Sequence, residues 1–301
     1  MKPKLGLIGL GNMGGPVCRK LIEEDYEVCV FDVDREAMAQ LEDTAAEPAK
    51  SPKALASAAD VVLLSLPNSA VVEEIVLGEG GLLESLSPGK ILIDTSSSKP
   101  SSTRMISGRL AEAGIDMLDA PVSGGGMKAR EGTLAVMVGG RREIFEKCLP
   151  ILQSFGSNIF FVGDHGTGHL AKSLNNLLSA TTLASAAEAV ILAERAGLSP
   201  DLFVEVINAS NGRSYSTEVK FPKYILDRSF EDGFATALMS KDLKIALEAA
   251  AEMDVPMLIG STVAQVWQAA VAQGNGARSH TEIYAFLENM TGSQDVGAKA
   301  P

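Results

Sequence analysis

The sequence predicts an α/β domain built on a doubly wound parallel sheet, followed by an all-helical domain. Short apolar segments alternate with amphipathic ones from residue 5 to residue 162. A glycine cluster directly follows the first apolar segment, and the alternation stops near Gly163. Apolar segments without a polar face indicate strands buried on both sides, which is typical of a parallel sheet covered by helices.

The first strand, helix and second strand are predicted within residues 5–34. We place a strand at 5–10, a helix at 13–24 and a second strand at 27–32, which ends in an acidic residue. The turn before the helix has the GxGxxG spacing, formed by Gly9, Gly11 and Gly14. In this order of elements, the spacing is typical of Rossmann-type dinucleotide-binding domains.

Each glycine of this turn has a separate expected role. Gly9 makes the tight turn out of the strand, Gly11 lets the backbone approach a pyrophosphate, and Gly14 lets the helix pack closely on the sheet. The N–H groups at the start of the helix, together with the helix dipole, form an anion site. A merely glycine-rich turn is the alternative, but it does not explain the ordered elements around it.

Asp32 favours NAD over NADP as the cofactor. A carboxylate at the end of the second strand can accept hydrogen bonds from both hydroxyls of an adenosine ribose. A 2′-phosphate would instead meet like charge, with a repulsion of about 4 kcal/mol at about 4 Å and an effective dielectric of about 20. Alternatively, Asp32 and Asp34 only end the strand at a solvated turn, and Arg35 could reach a phosphate, so NADP remains the less favoured cofactor.

The alternation of strands and helices continues to the end of the first domain. Later strands are predicted at 59–66, 90–94, 115–118, 133–138 and 158–162, with helices near 69–76, 101–113 and 142–155. We therefore assign residues 1–163 to a dinucleotide-binding domain and residues 164–301 to a second domain.

Loops at the carboxyl ends of the strands are the places where such sheets bind ligands. Three of them have suitable chemistry: Leu66-Pro67-Asn68, the serine-rich segment 94–98 and the glycine-rich segment 119–126. For any single serine, the tendency of serine to populate loops is the simpler explanation. For Ser123-Gly124-Gly125 we favour function, because three adaptable positions after Pro121 can present backbone N–H groups to a carboxylate.

The second domain is predicted to be helical throughout. A long helix should run from the glycines of GDHGTGH, interpreted as a hinge, to about Arg195, with its apolar side marked by Leu170, Leu174, Leu177, Leu178 and Leu183. Further helices are predicted at 200–208, 217–227, 238–253, 256–273 and 281–289, and the small polar tail is expected to fray. So many small residues on helix faces favour close helix contacts, and we expect a homo-oligomer, either a dimer or a tetramer.

Composition limits the classes of partner. The chain has 301 residues, 46% of them hydrophobic, and a formal charge of -12, which argues against nucleic acid or an anionic membrane as the main partner.

The cysteines and the apolar segments predict the compartment. The chain has three cysteines, Cys18, Cys29 and Cys148, which are far apart and lie among apolar residues, so they predict free thiols in a reducing compartment and no metal site. The apolar run 173–187 is too short and too polar to span a bilayer, and the N-terminus lacks a signal-type segment. We expect a cytoplasmic protein.

Lys172 and Asn176 are the candidate reactive pair. They are four residues apart, so they project from one face of the long helix near its start. A solvated surface lysine is the ordinary alternative. Leu170, Ala171 and Leu174 surround the lysine with apolar neighbours, and the glycine segment places this helix where the two domains must meet, which favours a role in a site.

Four motifs resemble the β-hydroxyacid dehydrogenase family, in order and along essentially the whole chain. They are GLIGLGNMG from Gly6, DAPVSGGG from Asp119, GTGHLAKSLNN from Gly166 and KDLKIALE from Lys241. The resemblance implies a hydride transfer between NAD and a small anionic 3-hydroxy acid, of the 3-hydroxyisobutyrate or 2-(hydroxymethyl)glutarate type.

The resemblance also implies roles for individual residues. Lys172 would be the catalytic acid/base, Asn176 its neighbour on the substrate, and Ser123, Gly124 and Gly125 the carboxylate-binding loop. Cofactor contacts would come from the glycine turn, from Asp32 and from Asn12, Met13, Leu66, Pro67, Ser96, Ser97 and Lys241, the last of which could instead contact the substrate. His165 and His169 are expected to be structural.

The identity of the substrate stays open at this stage. Segment 210–215 (SNGRSY) is most similar to enzymes of the 2-(hydroxymethyl)glutarate type, in which a second carboxylate would favour Arg213. Segments 114–125 and 133–140 are equally similar to tartronate semialdehyde reductases, so a reductase acting on tartronate semialdehyde, glyoxylate or succinic semialdehyde is the main alternative. A non-catalytic NAD-binding scaffold is a further alternative, but the joint presence of Lys172, Asn176 and Lys241 argues against it.

Overall fold

The computed structural model describes residues 2–292 and divides the chain into two compact units, Met1–Ser173 and Leu174–Pro301. The last strand of the sheet ends at Gly163, where we predicted the domain boundary, whereas the two units divide later, inside a helix. The boundary at residue 163 therefore stays a prediction. Most of the tail that was expected to fray, from residue 293 onward, lies outside the described residues.

A nine-stranded sheet forms the centre of the first unit, with the order β3-β2-β1-β4-β5-β6-β8-β7, and β9 also pairs with β8. The strands are β1 Leu5–Ile8, β2 Val28–Phe31, β3 Glu47–Pro48, β4 Val61–Leu64, β5 Ile91–Asp94, β6 Asp116–Asp119, β7 Val122–Ser123, β8 Leu134–Gly140 and β9 Gly156–Gly163. The pairs from β3 through β6 are parallel, and β8 runs antiparallel to β6 and β7. The predicted fold class is confirmed.

Burial on both faces explains why central strands such as β1 and β4 carry no polar side chain. Successive side chains of a strand point to opposite faces. Leu5 and Leu7 of β1 belong to one hydrophobic cluster, whereas Ile8 belongs to a second cluster on the opposite face. The same division separates Val61 from Val62 in β4. These two strands therefore lack the alternation of apolar and polar residues that is typical of a one-sided sheet.

Eight helices of the first unit connect the strands. They are α1 Gly14–Glu23, α2 Arg35–Ala39, α3 Pro52–Ala58, α4 Ser69–Leu77, α5 Leu82–Ser85, α6 Pro100–Glu112, α7 Gly125–Glu131 and α8 Arg142–Gln153. Our sequence analysis did not predict α2, α3, α5 and α7, because they are too short to show a helical period. Two of them have capping signals that could have revealed them, since Asp34 and Ser51 accept hydrogen bonds from the first turns of α2 and α3.

The second unit is helical, as predicted. It contains most of α9 Thr167–Arg195, then α10 Pro200–Asn208, a π-helix at Ser216–Ile225, α11 Thr236–Glu252, α12 Leu258–Ala270 with a π-type extension Val271–Asn275, a 3₁₀ turn at His280–Glu282 and α13 Ile283–Met290. An isolated bridge between Ala235 and Ser279 is the only strand-like pairing among the described residues of this unit.

The long helix α9 is a core helix, but its buried face differs from the predicted one. Leu177 and Leu183 are buried, whereas Leu174 is 38% exposed and Leu178 is 67% exposed. Alanine residues that the leucine pattern did not include are buried instead, as at Ala180. Among the described residues, α9 is the one helix long and apolar enough to cross a membrane, yet half of its most apolar stretch is buried inside the protein. This burial is typical of the core helix of a soluble protein.

Candidate functional site

The glycine turn after β1 has the geometry that its sequence predicts. Gly9 has a φ of 94°, and a side chain there would meet the carbonyl oxygen of Ser65 at 2.2 Å. A Cβ on Gly14 would lie 1.9 Å from the carbonyl oxygen of Gly9, so this glycine lets α1 approach the strand end. A Cβ on Gly11 would meet nothing within 4 Å. The open space over Gly11 is what a bound pyrophosphate requires.

Asp32 lies directly beside this turn. Its Oδ2 accepts a hydrogen bond from the backbone N–H of Leu10 at 2.6 Å, and its Oδ1 accepts one from Asp34 at 2.8 Å. Each oxygen keeps a second lone pair for a ligand hydroxyl. In the same turn Asn12 is exposed, and Met13 packs against the core of the sheet. The residues of the turn therefore fit an adenosine dinucleotide.

Two alanine substitutions should separate the steric roles of the glycines. Gly14→Ala should lower the free energy of unfolding by about 3 kcal/mol, because its methyl group meets backbone that cannot move aside. Gly11→Ala should change this free energy by less than about 0.5 kcal/mol, because the space is open, but it should weaken NAD binding at least about tenfold. Urea unfolding and NAD titration measure both effects. A Gly11→Ala variant that binds NAD normally would contradict the assignment of the phosphate turn.

The loops after β4 and β5 contact each other through a predicted cofactor residue. Ser96 is buried, and its hydroxyl accepts a hydrogen bond from the backbone N–H of Leu66 at 2.9 Å. Pro67 is exposed and Ser97 is partly buried next to them. The structure thus brings the two predicted cofactor loops together. The hydrogen bond to the Ser96 hydroxyl joins them, and Pro67 lies on their surface.

The segment Ser123-Gly124-Gly125, called the Ser123 loop below, joins the end of β7 to the start of α7. Gly124 and Gly125 have φ values of 133° and 73°, a backbone region that favours glycine. A Cβ on Gly124 would also lie 2.7 Å from the side chain of Lys128. Both glycines are exposed and Ser123 is partly buried, so the backbone of this loop is accessible to a ligand.

Asp119 connects this loop to the start of the lysine-bearing helix. It is completely buried at the end of β6, four residues before Ser123. Its carboxylate accepts hydrogen bonds from the backbone N–H groups of Gly166 at 2.9 Å and His169 at 3.0 Å. Burial raises the pKa of Asp119, although the bonds and the nearby His169 favour the charged form. A carboxylate at this position stabilises the amino end of α9 and fixes it against the strand.

His169 is part of the same buried anchor and supports the structural interpretation. Its Nδ1 lies 2.7 Å from the Thr103 hydroxyl of α6, and its Nε2 lies 3.6 Å from Asp94 Oδ2, a distance too long for a hydrogen bond. Gly168 lies beside it, and a Cβ there would be 2.4 Å from the carbonyl oxygen of Met137. This glycine therefore serves close packing, whereas the sequence analysis interpreted it as part of a hinge.

Lys172 is buried, with 9% of its surface exposed, and lies one turn beyond His169 on α9. Lysine is rarely buried to this degree without a specific reason. The helix start that carries it is held by Asp119, so Lys172 and the Ser123 loop are attached to the same strand end of the first unit. The pairing of this lysine with the Ser123 loop in one site stays a prediction.

Asn176 occupies the next turn of α9 and is 6% exposed. Its Nδ2 donates a hydrogen bond to Asp242 Oδ2 at 2.6 Å, and Asp242 is itself 2% exposed. Lys241 Nζ lies 3.3 Å from Asp242 Oδ1, an ion pair without hydrogen-bond geometry. The KDL motif therefore supplies an acid that orients the Asn176 amide, in addition to the predicted lysine.

Arg213 lies on the surface of the second unit. Its side chain is 67% exposed, and its guanidinium is 3.8 Å from Glu218 Oε1. The predicted role of Arg213 on a second substrate carboxylate stays a prediction.

Sequence analysis missed three buried acids that organise these groups, namely Asp94, Asp119 and Asp242. Each of these acids stands at a position that the sequence makes recognisable. Asp94 and Asp119 end apolar strands, and Asp242 follows Lys241 in a motif that was already recognised. Among residues 2–292, no group of three or more His, Cys, Asp or Glu side chains could hold a metal ion.

The strand order, the glycine turn and Asp32 together define a dinucleotide-binding protein of the Rossmann class. Comparison with protein families agrees with this class. The NAD binding domain of 6-phosphogluconate dehydrogenase matches residues 4–163, and the family described as NAD-binding of NADP-dependent 3-hydroxyisobutyrate dehydrogenase matches residues 166–287. The chain belongs to the β-hydroxyacid dehydrogenase family.

Individual relatives match along nearly the full length of the chain. A 2-(hydroxymethyl)glutarate dehydrogenase of Eubacterium barkeri is 40% identical, over 98% of this chain and 98% of the relative. An NAD-dependent L-serine dehydrogenase of Pseudomonas aeruginosa is 35% identical, over 96% of this chain and 99% of the relative. The structure of Mycobacterium tuberculosis 3-hydroxyisobutyrate dehydrogenase with L-serine superposes with a TM-score of 0.88 and 30% identity, over 95% of this chain and 99% of that one.

Proposed function

We propose that this protein is an NAD-dependent dehydrogenase that oxidises a small 3-hydroxy acid to the corresponding aldehyde acid, with Lys172 as the acid/base. The observation that carries the proposal is the burial of Lys172 on a helix whose start is fixed to the strand end that leads into the Ser123 loop. The relatives that match over the whole chain are named as dehydrogenases of small hydroxy acids, which supports the reaction class.

The roles of the chain's own residues follow from their chemistry. The Ser123 hydroxyl and the backbone N–H groups of Gly124 and Gly125 bind the substrate carboxylate. Lys172 removes the hydroxyl proton during oxidation and returns a proton to the carbonyl oxygen during reduction. Asn176, oriented by Asp242, contacts the substrate oxygen next to Lys172. These positions fix the substrate at both its charged end and its reacting end.

NAD fits the nucleotide-binding residues. The open space over Gly11 accommodates the pyrophosphate, and Asp32, already beside the glycine turn, accepts hydrogen bonds from the adenosine ribose. A 2′-phosphate would be repelled by the Asp32 carboxylate, so we propose NAD as the working cofactor and NADP as the weaker one. When bound, the nicotinamide supplies the acceptor for the hydride.

A substrate panel tests the proposed function. Purified protein is mixed with NAD or NADP and one of 3-hydroxyisobutyrate, 2-(hydroxymethyl)glutarate, L-serine or glycerate, and absorbance of the reduced nicotinamide is followed. We expect turnover of at least one 3-hydroxy acid, with kcat/KM at least about tenfold higher for NAD than for NADP, because the Asp32 repulsion is several times RT. Absence of turnover with every acid and in the reverse direction would refute the proposal.

The reverse direction distinguishes the main alternative. Tartronate semialdehyde, glyoxylate and succinic semialdehyde are tested with NADH in the same assay. A kcat/KM for one of these aldehyde acids well above that for every hydroxy acid would identify a reductase. NADH binding without turnover in either direction would indicate a non-catalytic scaffold.

We also propose that the protein forms a homo-oligomer, either a dimer or a tetramer. Several large apolar side chains of the second unit are exposed, among them Leu178 at 67%, Leu192 at 70%, Leu258 at 79% and Ile259 at 71%. Apolar exposure of this extent is typical of surfaces that pair with another chain. A cytoplasmic location is proposed as well, because Cys18, Cys29 and Cys148 are all free and buried.

A further inference from the structure

The first turn of α9 is held by a side-chain contact in addition to its backbone bonds with Asp119. The imidazole of His169 is completely buried, and its Nδ1 lies 2.7 Å from the Thr103 hydroxyl of α6. Its Nε2 faces Asp94 Oδ2 at 3.6 Å and makes no hydrogen bond within the described part of the chain. These residues and Lys172 all belong to the first unit. The ring is therefore confined between α6 and the end of β5.

Thr103 holds one edge of this ring. It is 1% exposed, and its hydroxyl donates a hydrogen bond at 3.1 Å to the carbonyl oxygen of Lys99, the residue just before α6. A hydroxyl that donates its one proton can still accept, so the same oxygen can receive the N–H of the imidazole. The contact with Lys99 fixes the rotamer of Thr103, and the hydroxyl in turn fixes the orientation of the His169 ring.

Asp94 closes the other edge of the ring and shapes a predicted cofactor loop. This acid is completely buried. Its Oδ1 accepts a hydrogen bond from the backbone N–H of Ser96 at 2.9 Å, and its Oδ2 accepts one from the Ser98 hydroxyl at 2.9 Å. The hydroxyl of Ser96 is the group that joins this loop to Leu66. The carboxylate that faces His169 is therefore fixed by the segment that is predicted to contact the cofactor.

The orientation of the His169 ring bears directly on Lys172, which follows it by three residues on α9. At 3.6 residues per turn, the two side chains are separated by about 60° around the helix and by about 4.5 Å along its axis. A rotation of the helix start that moves the ring therefore also moves the lysine. An amine about 8 Å from the axis is displaced by about 1.5 Å when the helix turns by about 10°.

The backbone bonds to Asp119 do not control this rotation as well as the ring does. The N–H groups of Gly166 and His169 that bind Asp119 lie close to the helix axis, so these bonds mainly fix the end of the helix. The ring of His169 extends farther from the axis and contacts Thr103 on a different element. A contact at a larger radius resists rotation about the axis more effectively.

We infer that Thr103, acting through the ring of His169, is a positioning residue that fixes the rotation of the start of α9 and thereby the location of the Lys172 amine. This inference rests on the proposed function, in which Lys172 is the acid/base. Thr103 and His169 exchange no proton with the substrate, and they determine where the reacting amine lies. Because a misplacement of about 1 Å can lower a rate about 100-fold, the loss of one buried hydroxyl should affect kcat.

Three substitutions on α6 test the inference. Thr103→Val keeps the shape of the side chain but removes the hydroxyl, so it should lower kcat at least about tenfold. The dissociation constant for NAD should stay within about threefold, because the glycine turn after β1 is unchanged. Thr103→Ser restores the hydroxyl and should bring kcat back to within about threefold of the wild type. Ser107→Ala is the matched control, because the buried Ser107 hydroxyl bonds only within α6, to the carbonyl oxygen of Arg104, and kcat should stay within about twofold.

The outcomes separate positioning from general stability. A kcat of Thr103→Val within about threefold of the wild type overturns the inference, as does an equal loss in Thr103→Ser. If Thr103→Val does not fold, Thr103→Ala also lacks the hydroxyl, favours the helix and gives the same comparison. A normal kcat in Thr103→Val together with an inactive Lys172→Ala overturns this inference alone, whereas a fully active Lys172→Ala refutes the proposed role of the lysine.

Amide hydrogen exchange tests the same contact without turnover. Exchange of residues 169–173 should be at least about tenfold faster in Thr103→Val than in the wild type, because the helix start is less firmly held, and unchanged in Ser107→Ala. Residues 5–10 of the first strand serve as the internal reference and should exchange equally in all three proteins. Unchanged exchange of residues 169–173 in Thr103→Val overturns the inference, whether or not the wild type oxidises a hydroxy acid.

Discussion

Lys172→Ala should lower kcat by about 10³-fold or more for every substrate that the wild type oxidises, while NAD binding stays within about threefold of the wild type. Acid/base groups contribute about 10²- to 10⁴-fold to proton-transfer rates. Lys172 lies on α9 and is not part of the glycine turn between β1 and α1, so its loss should leave that turn intact. Steady-state kinetics and NADH titration measure the two quantities separately.

Two further variants make this prediction specific. Lys172→Arg keeps the positive charge but does not release its proton at accessible pH, so it should be as impaired as Lys172→Ala. Lys147→Met removes an exposed lysine from α8 and should leave kcat unchanged within a factor of about two. A Lys172→Ala enzyme that keeps more than about one tenth of the wild-type kcat would remove the lysine from its proposed role.

Acid should destabilise the helical unit through His280. The folded state lowers the pKa of His280 to about 3 from its ordinary value of 6.5, because burial and the Lys220 ammonium disfavour the imidazolium. Between pH 6.5 and pH 3, His280 therefore binds a proton in the unfolded chain but stays neutral in the folded chain. The stability that depends on neutral His280 is complete above pH 6.5 and is lost as the pH falls toward 3. Between pH 6.5 and pH 4 the loss should reach about 3 kcal/mol.

Trp267 provides a local probe for this effect. It is the only tryptophan of the chain, it is completely buried, and its ring stacks on His280 with centroids 6.3 Å apart. Urea unfolding followed by its fluorescence should give a free energy of unfolding that falls more steeply with acid in the wild type than in His280→Gln. The glutamine keeps an acceptor for Lys220 but does not titrate. Parallel pH profiles of the two proteins would show that His280 does not control the acid response.

Asp232 acts against this loss. Burial raises the pKa of Asp232, and its carboxylate lies 3.2 Å from His280 Nδ1. In acid, the folded state therefore accepts a proton on Asp232 before the unfolded state does, which stabilises the folded state. Both proteins retain Asp232. The difference between the wild type and His280→Gln in how the free energy of unfolding depends on pH therefore reports the contribution of His280.

The local features of the nucleotide domain were predictable from sequence. A strand buried on both faces needs apolar residues, as in β4, and a turn that a side chain would obstruct must contain glycine, as at Gly9 and Gly14. These requirements involve residues that are close together along the chain, so the strands and the glycine turn can be recognised in the sequence. Short elements such as α2 and α3 escaped prediction because one or two turns show no period, although their caps were present in the sequence.

Residues that depend on distant partners could not be assigned in this way. Leucine spacing on α9 suggested that Leu174 and Leu178 are buried, yet the packing of the helical unit turns them outward and buries Ala180 instead. Gly168 was interpreted as a hinge position, yet it permits close contact with backbone that is contributed by β6 and β8. In both cases the decisive neighbours are far away along the chain.

By itself, the sequence determined the fold class, the family and the identity of the nucleotide turn, because all three depend on local spacing and on ordered motifs. Only the tertiary structure decided which polar groups are buried together. It paired Asp119 with the start of the lysine helix, Asp242 with Asn176, and Lys220 with Ser179 and His280. The physical reason is that the free energy of a buried charge is set by its partners in space, and a surface lysine and a buried one are identical in sequence.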